Sequence, residues 1–398
     1  MFKSLELKKA AIEKIQSDRG SLFKSDVDGH IKALPPGEWI LLKDVEKKRI
    51  YLGFANPLVE DKYPAVQVLT RLTSPPDENT VEKFVCEKIE AAVNKRAMFQ
   101  GYEGGSRLFF GEADGLPGLI VDSYEDTVLI QVNTAGVDKW RTTIRELLER
   151  ITKKKCFFLD HPQQRSREVL PHYREELPFE HLSVLENQFK YKIPAKNLQK
   201  NGWYYDHREN RSKFENAVKR WAGAKDKGLD LFCYGGAWGL HALRAGVKEV
   251  WFIDQAPLNE MVTNHLALNL FNDRGYFERK DVFDWLDDSI KAKKLFDVIV
   301  SDPPAFAKSP KDTAAAIEGY KKLHKKVLKI TNKNSIVAFA SCTHYVDYPV
   351  FVETIQIAAR QEGRAIQILE QGMQGWDHPV RTLNDKANYI KYVLVRVE

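Results

Sequence analysis

Residues 228–239 read Gly228-Leu229-Asp230-Leu231-Phe232-Cys233-Tyr234-Gly235-Gly236-Ala237-Trp238-Gly239, an apolar run that breaks into glycines and resumes at helical spacing. A short buried strand turning at once into a helix is the opening unit of an open α/β sheet, whose ligands bind beyond the carboxyl ends of the strands. The chain keeps that rhythm to its end: strand KEVWFID (248–254), helix PLNEMVTNHLALNL (257–270), strand YFERKD (276–281), strand FDVIVSD (296–302), a lysine-rich helix, strand SIVAFAS (335–341), helix YPVFVETIQIAARQEG (348–363), then two late strands, AIQILEQ (365–371) and YIKYVLVRV (389–397). Strands alternating with helices of this length predict a doubly wound, mostly parallel sheet.

Upstream the pattern differs. Residues 1–17 have the spacing of a short amphipathic helix, and EWILLKD, KRIYLGFA and AVQVLTRL are strands separated by Pro35-Pro36-Gly37 and Asn56-Pro57. The paired prolines of Ser74-Pro75-Pro76-Asp77 mark a linker before a helix near 80–99. Residues 106–192 alternate again, with SRLFFGEADGLPGLIVDSYEDTVLIQV, a helix at 138–152, strand CFFLD and a single strand-like SVLENQFKYKI. Three domains are expected, 1–72, 73–192 and 193–398, which suits a length of 398 residues.

An apolar content of 43% with 29% charge excludes long disorder. No window approaches a membrane span and the start lacks a signal-peptide pattern, so the cytoplasm is the expected location. Cys86, Cys156, Cys233 and Cys342 form no CxxC pair, which encodes neither a disulfide framework nor a metal site. The net charge is +6, and residues 151–220 alone carry that excess. A second basic element is the helix bearing Lys321, Lys322, Lys325, Lys326 and Lys329, for which a solvated face is the preferred reading. Two basic elements raise the expectation of a polyanionic partner.

Five strand ends fall on one edge of the sheet. They hold Tyr234-Gly235-Gly236-Ala237-Trp238-Gly239, Asp254, Asp281, Asp302-Pro303-Pro304-Ala305-Phe306 and Ser341-Cys342-Thr343. Asp254 comes 24 residues after Asp230, close to the offset at which a carboxylate receives ribose hydroxyls. A dinucleotide fold would ask for Gly where Tyr234 stands, so the loop leans toward S-adenosylmethionine, a nucleoside without phosphate. In the Asp302 loop the prolines fix the carboxylate and Phe306 offers a ring for a flat substrate, although a core phenylalanine is a fair competitor. Cys233 reads as a small core hydrophobe, whereas Cys342 ends its strand where a reacting thiolate would have to be.

As a set, SRLFFGEADGLPGLIVDSYEDTVLIQV, NGWYYDHRENR (201–211), DLFCYGGAWG, DVFDWL (281–286), DPPAF, SCT, WDHPV (376–380) and YIKYVLVRV resemble the PUA-domain class I methyltransferases that form 5-methylcytosine in 23S ribosomal RNA. The resemblance spans nearly the whole chain. It departs from the family at Gly235, where a Thr is usual, at Ala305, where Lys or Arg is usual, and at Arg19-Gly20-Ser21-Leu22-Phe23 in the first PUA strand. It implies a seven-stranded class I domain, a PUA-like domain at 1–72, and Cys342 as the nucleophile that adds to C6 of cytosine while Asp302 hydrogen-bonds N3. Asp254 would take the ribose, Asp281 the adenine edge, and Tyr234, Gly235, Gly236 and Gly239 the methionine portion. Asp206 and Arg208 would close the pocket, Pro303 and Phe306 would meet the base, and Lys196 and Lys200 the RNA backbone. A homodimer is a further expectation. Two other readings stay open: a guanine N-methyltransferase, which needs no thiol, and a non-catalytic RNA-binding or assembly protein.

Overall fold

The computed structural model describes residues 2–16, 20–44, 46, 48–74, 76–77, 79–102, 104–198, 202–380 and 387–398. The chain divides into two compact units, 1–180 with 198–202, and 181–197 with 203–398.

The first unit holds two sheets. One has five strands, in the order Lys3–Glu6, Glu38–Asp44, Arg49–Ala55, Val66–Arg71 and Ser21–Leu22. Residues 3–6 were expected to be helical, yet they run parallel to 40–43, and the helix is confined to Lys9–Gln16. The reason is local: Leu5 and Leu7, two apart, are both buried, which is the period of a strand. The second sheet runs Ser106–Phe110, Leu119–Ser123, Thr127–Val132 and Lys155–Phe158 in sequential order. The two sheets do not build separate cores, as a border at 72–73 would suggest. Trp39 and Phe54 of the first pack in one cluster with Val85, Ile89, Leu119 and Val137, and Trp39 Nε1 donates to the Gly136 carbonyl at 2.9 Å.

The expected limit at 192 also shifts. SVLENQFKYKI is a hairpin, His181–Glu186 against Phe189–Pro194, and it belongs to the second unit. Its two-residue turn places Asn187 (φ 50°) and Gln188 (φ 68°) in the left-handed region, as the twist of a tight hairpin requires. Without the glycine that usually marks such a turn, the segment reads as one strand. Lys192 N donates to His265 Nε2 at 2.9 Å, and the Asn269 amide bonds both backbone groups of Lys190, which fastens the hairpin to the helix at 259–268.

In chain order the rest of the second unit is α1 (Arg208–Arg220), β1 (Lys227–Leu231), α2 (Ala237–Arg244), β2 (Glu249–Asp254), α3 (Asn259–Leu268), β3 (Gly275–Arg279), α4 (Val282–Lys291), β4 (Phe296–Ser301), α5 (Thr313–Lys329), β5 (Thr331–Ser341), α6 (Tyr348–Gln361), β6 (Ile366–Gly372) and β7 (Lys391–Val397). The seven strands lie in the order β3-β2-β1-β4-β5-β7-β6, and β7 alone is antiparallel to its neighbours β5 and β6. This is the class I methyltransferase sheet that the sequence predicts. The order reverses between β1 and β4, which puts the ligand crevice at their carboxyl ends. One face packs on α4, α5 and α6 through Ile299, Val337, Phe339, Trp285, Leu323 and Phe351. Burying a side chain such as Ile299 stabilises the unit by about 1.5–3 kcal/mol.

The lysines of α5 are a solvated face. Lys321 pairs with Glu318, Lys325 and Lys329 reach Glu362, Lys326 pairs with Asp287, and Lys322 sits over the Phe283 ring. Among the described residues no helix is long and apolar enough to cross a membrane.

Candidate functional site

Between β1 and α2 the chain makes a compressed turn, with Phe232 at φ 61°, Tyr234 at 45° and Gly236 at 75°. Two hydrogen-bonded carboxylates hold it. Asp230, fully buried at the end of β1, accepts from Gly239 N at 2.8 Å, and Asp254 at the end of β2 accepts from Tyr234 N at 3.1 Å and from Ala256 N at 2.9 Å. The glycines are demanded by neighbours as much as by the turn. A Cβ on Gly239 would stand 2.1 Å from Phe252 Cε1, and one on Gly235 would stand 2.8 Å from Trp203 Cζ3. The latter explains why the usual Thr is absent: the Trp203 ring occupies its space.

Two amides of this loop are taken inside the fold, Gly236 N by Cys233 O at 2.7 Å and Gly239 N by Asp230, which narrows what the turn offers a pyrophosphate. The charge around the loop is acidic instead. Burial pushes Asp230 well up, with the charges of Asp302 and Asp254 adding to it, while Tyr204 is raised by burial and by the negative charges of Asp206, Cys342, Asp302 and Asp254. A crevice lined this way suits a nucleoside that carries a positive charge and disfavours a phosphate. Asp281 lies exposed at the start of α4, with Oδ1 capping Phe283 N and Asp284 N, a carboxylate in keeping with an acceptor for an amino group.

The expected reacting pair comes together. β4 and β5 are parallel neighbours, so Asp302 and Cys342 leave adjacent strand ends, and Cys342 Sγ lies 3.9 Å from the Pro303 carbonyl. Trp238 Nε1 donates to Asp302 Oδ2 at 3.0 Å, and His207 Nε2 lies 3.6 Å from Asp302 Oδ1. Asn210 Nδ2 is 3.1 Å from His207 Nδ1. An amide N–H can only donate, so Nδ1 accepts and a neutral His207 carries its proton on Nε2, toward Asp302. Behind Cys342, Tyr320 OH bonds Ser341 Oγ (2.8 Å) and Thr343 Oγ1 (2.6 Å), and Thr343 Oγ1 accepts from Phe306 N (3.1 Å). The hydroxyls of Ser341 and Thr343 thus tie the β5 end to the Asp302 loop.

Other expected residues fall differently. The Phe306 ring packs on Tyr320 with centroids 4.6 Å apart and lies against the core, so its competing reading as a packing residue describes what it touches. Asp206 Oδ2 accepts from Tyr389 OH at 2.7 Å, and its carbonyl from Gly375 N, which draws the loop after β6 over this edge. Arg208 is buried, its guanidinium over the Tyr205 ring and near Glu186. Much of the basic excess of 151–220 is spent in the same way: Arg165 bonds Asp138 and Arg211 bonds Glu186 inside the fold. Lys196 is exposed, as are Lys190 and Lys192 on the outward side of the hairpin; Lys200 lies outside the described residues. Trp238, His207, Tyr389 and Lys391 were not singled out in the sequence, although all lie in stretches that carry the family resemblance.

Comparison with known proteins places the chain in a family. A ribosomal RNA large subunit methyltransferase I of Shewanella frigidimarina is 30% identical over 345 residues, covering 84% of this chain and 85% of its own length. The corresponding protein of Aeromonas salmonicida is 32% identical over 342 residues, covering 83% and 85%. The chain belongs to the ribosomal RNA large subunit methyltransferase I family. A family model described as conserved hypothetical protein 95 matches residues 209–347, from α1 to the loop after Cys342. Within this family setting the fold also matches a solved structure from Streptococcus mutans, described provisionally as that of an S-adenosylmethionine-dependent methyltransferase, with a TM-score of 0.77 and 18% identity over 99% of this chain and all of that one.

Proposed function

We propose that this protein methylates C5 of a cytosine in large-subunit ribosomal RNA, 23S RNA in a bacterium, through a covalent adduct at Cys342. The observation that carries this reading is the pairing of Cys342 with Asp302 at adjacent strand ends, the carboxyl group already oriented by the Trp238 indole.

S-adenosylmethionine is the methyl donor, and when bound it supplies an electrophilic methyl on a sulfonium. Asp254 would hold the ribose, Asp281 the adenine edge, and the Tyr234–Gly239 turn the methionine portion, while the acidic lining would favour the positive sulfur. Carbon 5 of cytosine is a poor nucleophile in the intact ring, so the protein must first raise its electron density. The Cys342 thiolate adds to C6, electron density moves to C5 as an enamine, and Asp302 delivers a proton to N3, which neutralises the negative charge that builds on the ring. After methylation, loss of the C5 proton to a general base, expulsion of the thiolate and return of the N3 proton to Asp302 restore the aromatic base. A base within structured RNA must be turned out of its stack to reach Cys342.

The five-stranded N-terminal sheet is the PUA-like RNA-binding element in this reading, and Lys190, Lys192 and Lys196 are phosphate contacts. The work is cytoplasmic, where ribosomal RNA is made in bacteria. Mass-spectrometric mapping of ribosomal RNA from cells with and without the gene tests the proposal: one 5-methylcytosine of the large subunit should be lost with the gene. Loss of a methylguanine instead would replace it with the guanine reading.

A further inference from the structure

Lys391 opens β7 directly opposite Ser341, yet it is only 4% exposed. An ammonium inside a sheet is costly unless an anion meets it. Nζ donates to the Thr343 carbonyl and to the Tyr389 carbonyl at 3.0 Å, and no carboxylate among the described residues lies within ion-pair distance. Thr343 is the residue after Cys342, so the clamp brings the ammonium to the strand end that carries the thiol. Burial pushes Lys391 down to about 8, and a charge on Cys342 or, more weakly, on Asp347 would oppose that fall.

We propose that the Lys391 ammonium is the counter-charge that holds Cys342 as a thiolate, a positioning role exerted through the clamp on the Thr343 carbonyl. It rests on the covalent reading of Cys342 for its purpose, though not for its geometry. The other described groups facing the thiol cannot take this part. Tyr320 from α5 and Tyr204 from the segment before α1 are phenols that burial keeps protonated. Asp302, on the adjoining loop with His207 behind it, and Asp347, five residues on, are acids that supply no positive charge, while His344 is exposed. Lys391 is a described cation that reaches this strand end from inside the fold. It also accounts for a lysine in YIKYVLVRV, where β-sheet packing would favour an apolar residue.

The pairing is testable without turnover. In the full-length protein, alkylation of Cys342 by iodoacetamide, monitored on its own peptide by mass spectrometry from pH 5 to 10, reports the thiolate fraction. Lys391→Met should raise the midpoint by at least one unit, so that alkylation at pH 7 slows about tenfold. Methyl transfer should fall in parallel and recover as the pH is raised. Should Lys391→Met fail to fold, the linkage can be read from the other partner: in Cys342→Ser, the Lys391 amine, trapped by reductive methylation across pH, should titrate lower than in the native protein. An unchanged alkylation midpoint in folded Lys391→Met, or an unchanged lysine titration in Cys342→Ser, overturns the proposal. If Cys342→Ala retains turnover while the midpoints still shift, the covalent reading fails and the pairing stands.

Discussion

Trp238 Nε1 donates to Asp302 Oδ2 at 3.0 Å, so a residue of the first turn of α2 sets the orientation of the carboxylate at the end of β4. The indole is itself fixed, stacked on Tyr392 with an interplanar angle of 11° and centroids 5.7 Å apart. The β1–α2 turn region and the Asp302 loop are therefore joined by this hydrogen bond. Movement of either would be felt by the other.

Trp238→Phe keeps the stacking partner and removes the donor. Hydrogen bonds to charged groups contribute about 1.5–3 kcal/mol, and only the part specific to the transition state appears in kcat. We expect kcat to fall about tenfold or more, with the Kd for S-adenosylhomocysteine nearly unchanged, as calorimetry and single-turnover methylation would report. A loss confined to cofactor binding would mean that Trp238 serves the loop and not Asp302.

The outward row Lys190, Lys192 and Lys196 supplies the phosphate prediction. Alternation along the strand turns Lys190 and Lys192 away from the buried Phe189, Tyr191 and Ile193. Replacing all three by alanine should lower the slope of log K against log salt by about 0.7 to 0.9 for each phosphate no longer neutralised, depending on whether the RNA is single- or double-stranded. Filter binding of a ribosomal RNA fragment at several salt concentrations reads it. An unchanged slope would show that the row is merely solvated.

The sheet and its carboxyl edge were legible because each strand carries its own apolar run and each end its own polar residue, as with FDVIVSD ending at Asp302. The hairpin at 181–194 was not, since Asn187 and Gln188 adopt left-handed conformations without a glycine to announce them. Nor was the strand at 3–6, whose alternation is only two leucines long. The site residues that escaped share one property: Trp238, His207 and Lys391 read as ordinary members of amphipathic or apolar segments, and only tertiary contact shows which polar atom each one meets. Gly235 is the converse, a visible departure whose cause, the Trp203 ring, lies more than thirty positions upstream.

Acid stability should depend on Glu215 of α1. Burial alone would raise its carboxyl, but hydrogen bonds from His241, Arg244 and Lys219 overcome this and hold it well below the usual carboxylate range. A depressed folded-state value contributes stability above the unfolded value near 4.5 and loses it as the pH falls toward the folded one. The native protein should therefore become progressively easier to unfold in urea below about pH 4.5. Glu215→Gln should lose about 3 kcal/mol at pH 7 and much of that acid dependence. Equal slopes of stability against pH in the two proteins would assign the effect to other carboxylates.

The cysteines that follow β1 and β5 separate chemistry from packing. Cys233 is enclosed behind the glycine turn, and burial, with the charges of Asp230 and Asp254, pushes its thiol well up, so it is a poor nucleophile. Cys342 is partly exposed at the end of β5, beside the Pro303 carbonyl and the Asp302 loop. Cys233→Ala should lower Tm by a few degrees and leave turnover intact. Cys342→Ala should abolish methyl transfer while keeping the fold and the affinity for S-adenosylhomocysteine. RNA carrying 5-fluorocytosine gives the direct readout, because fluorine at C5 cannot leave as a cation and the thioether to C6 stays trapped. A shifted protein–RNA band with the native enzyme and with Cys233→Ala, absent with Cys342→Ala, is the expected pattern. Normal turnover by Cys342→Ala would sink the covalent mechanism and leave Asp302 to act on a base that needs no thiol.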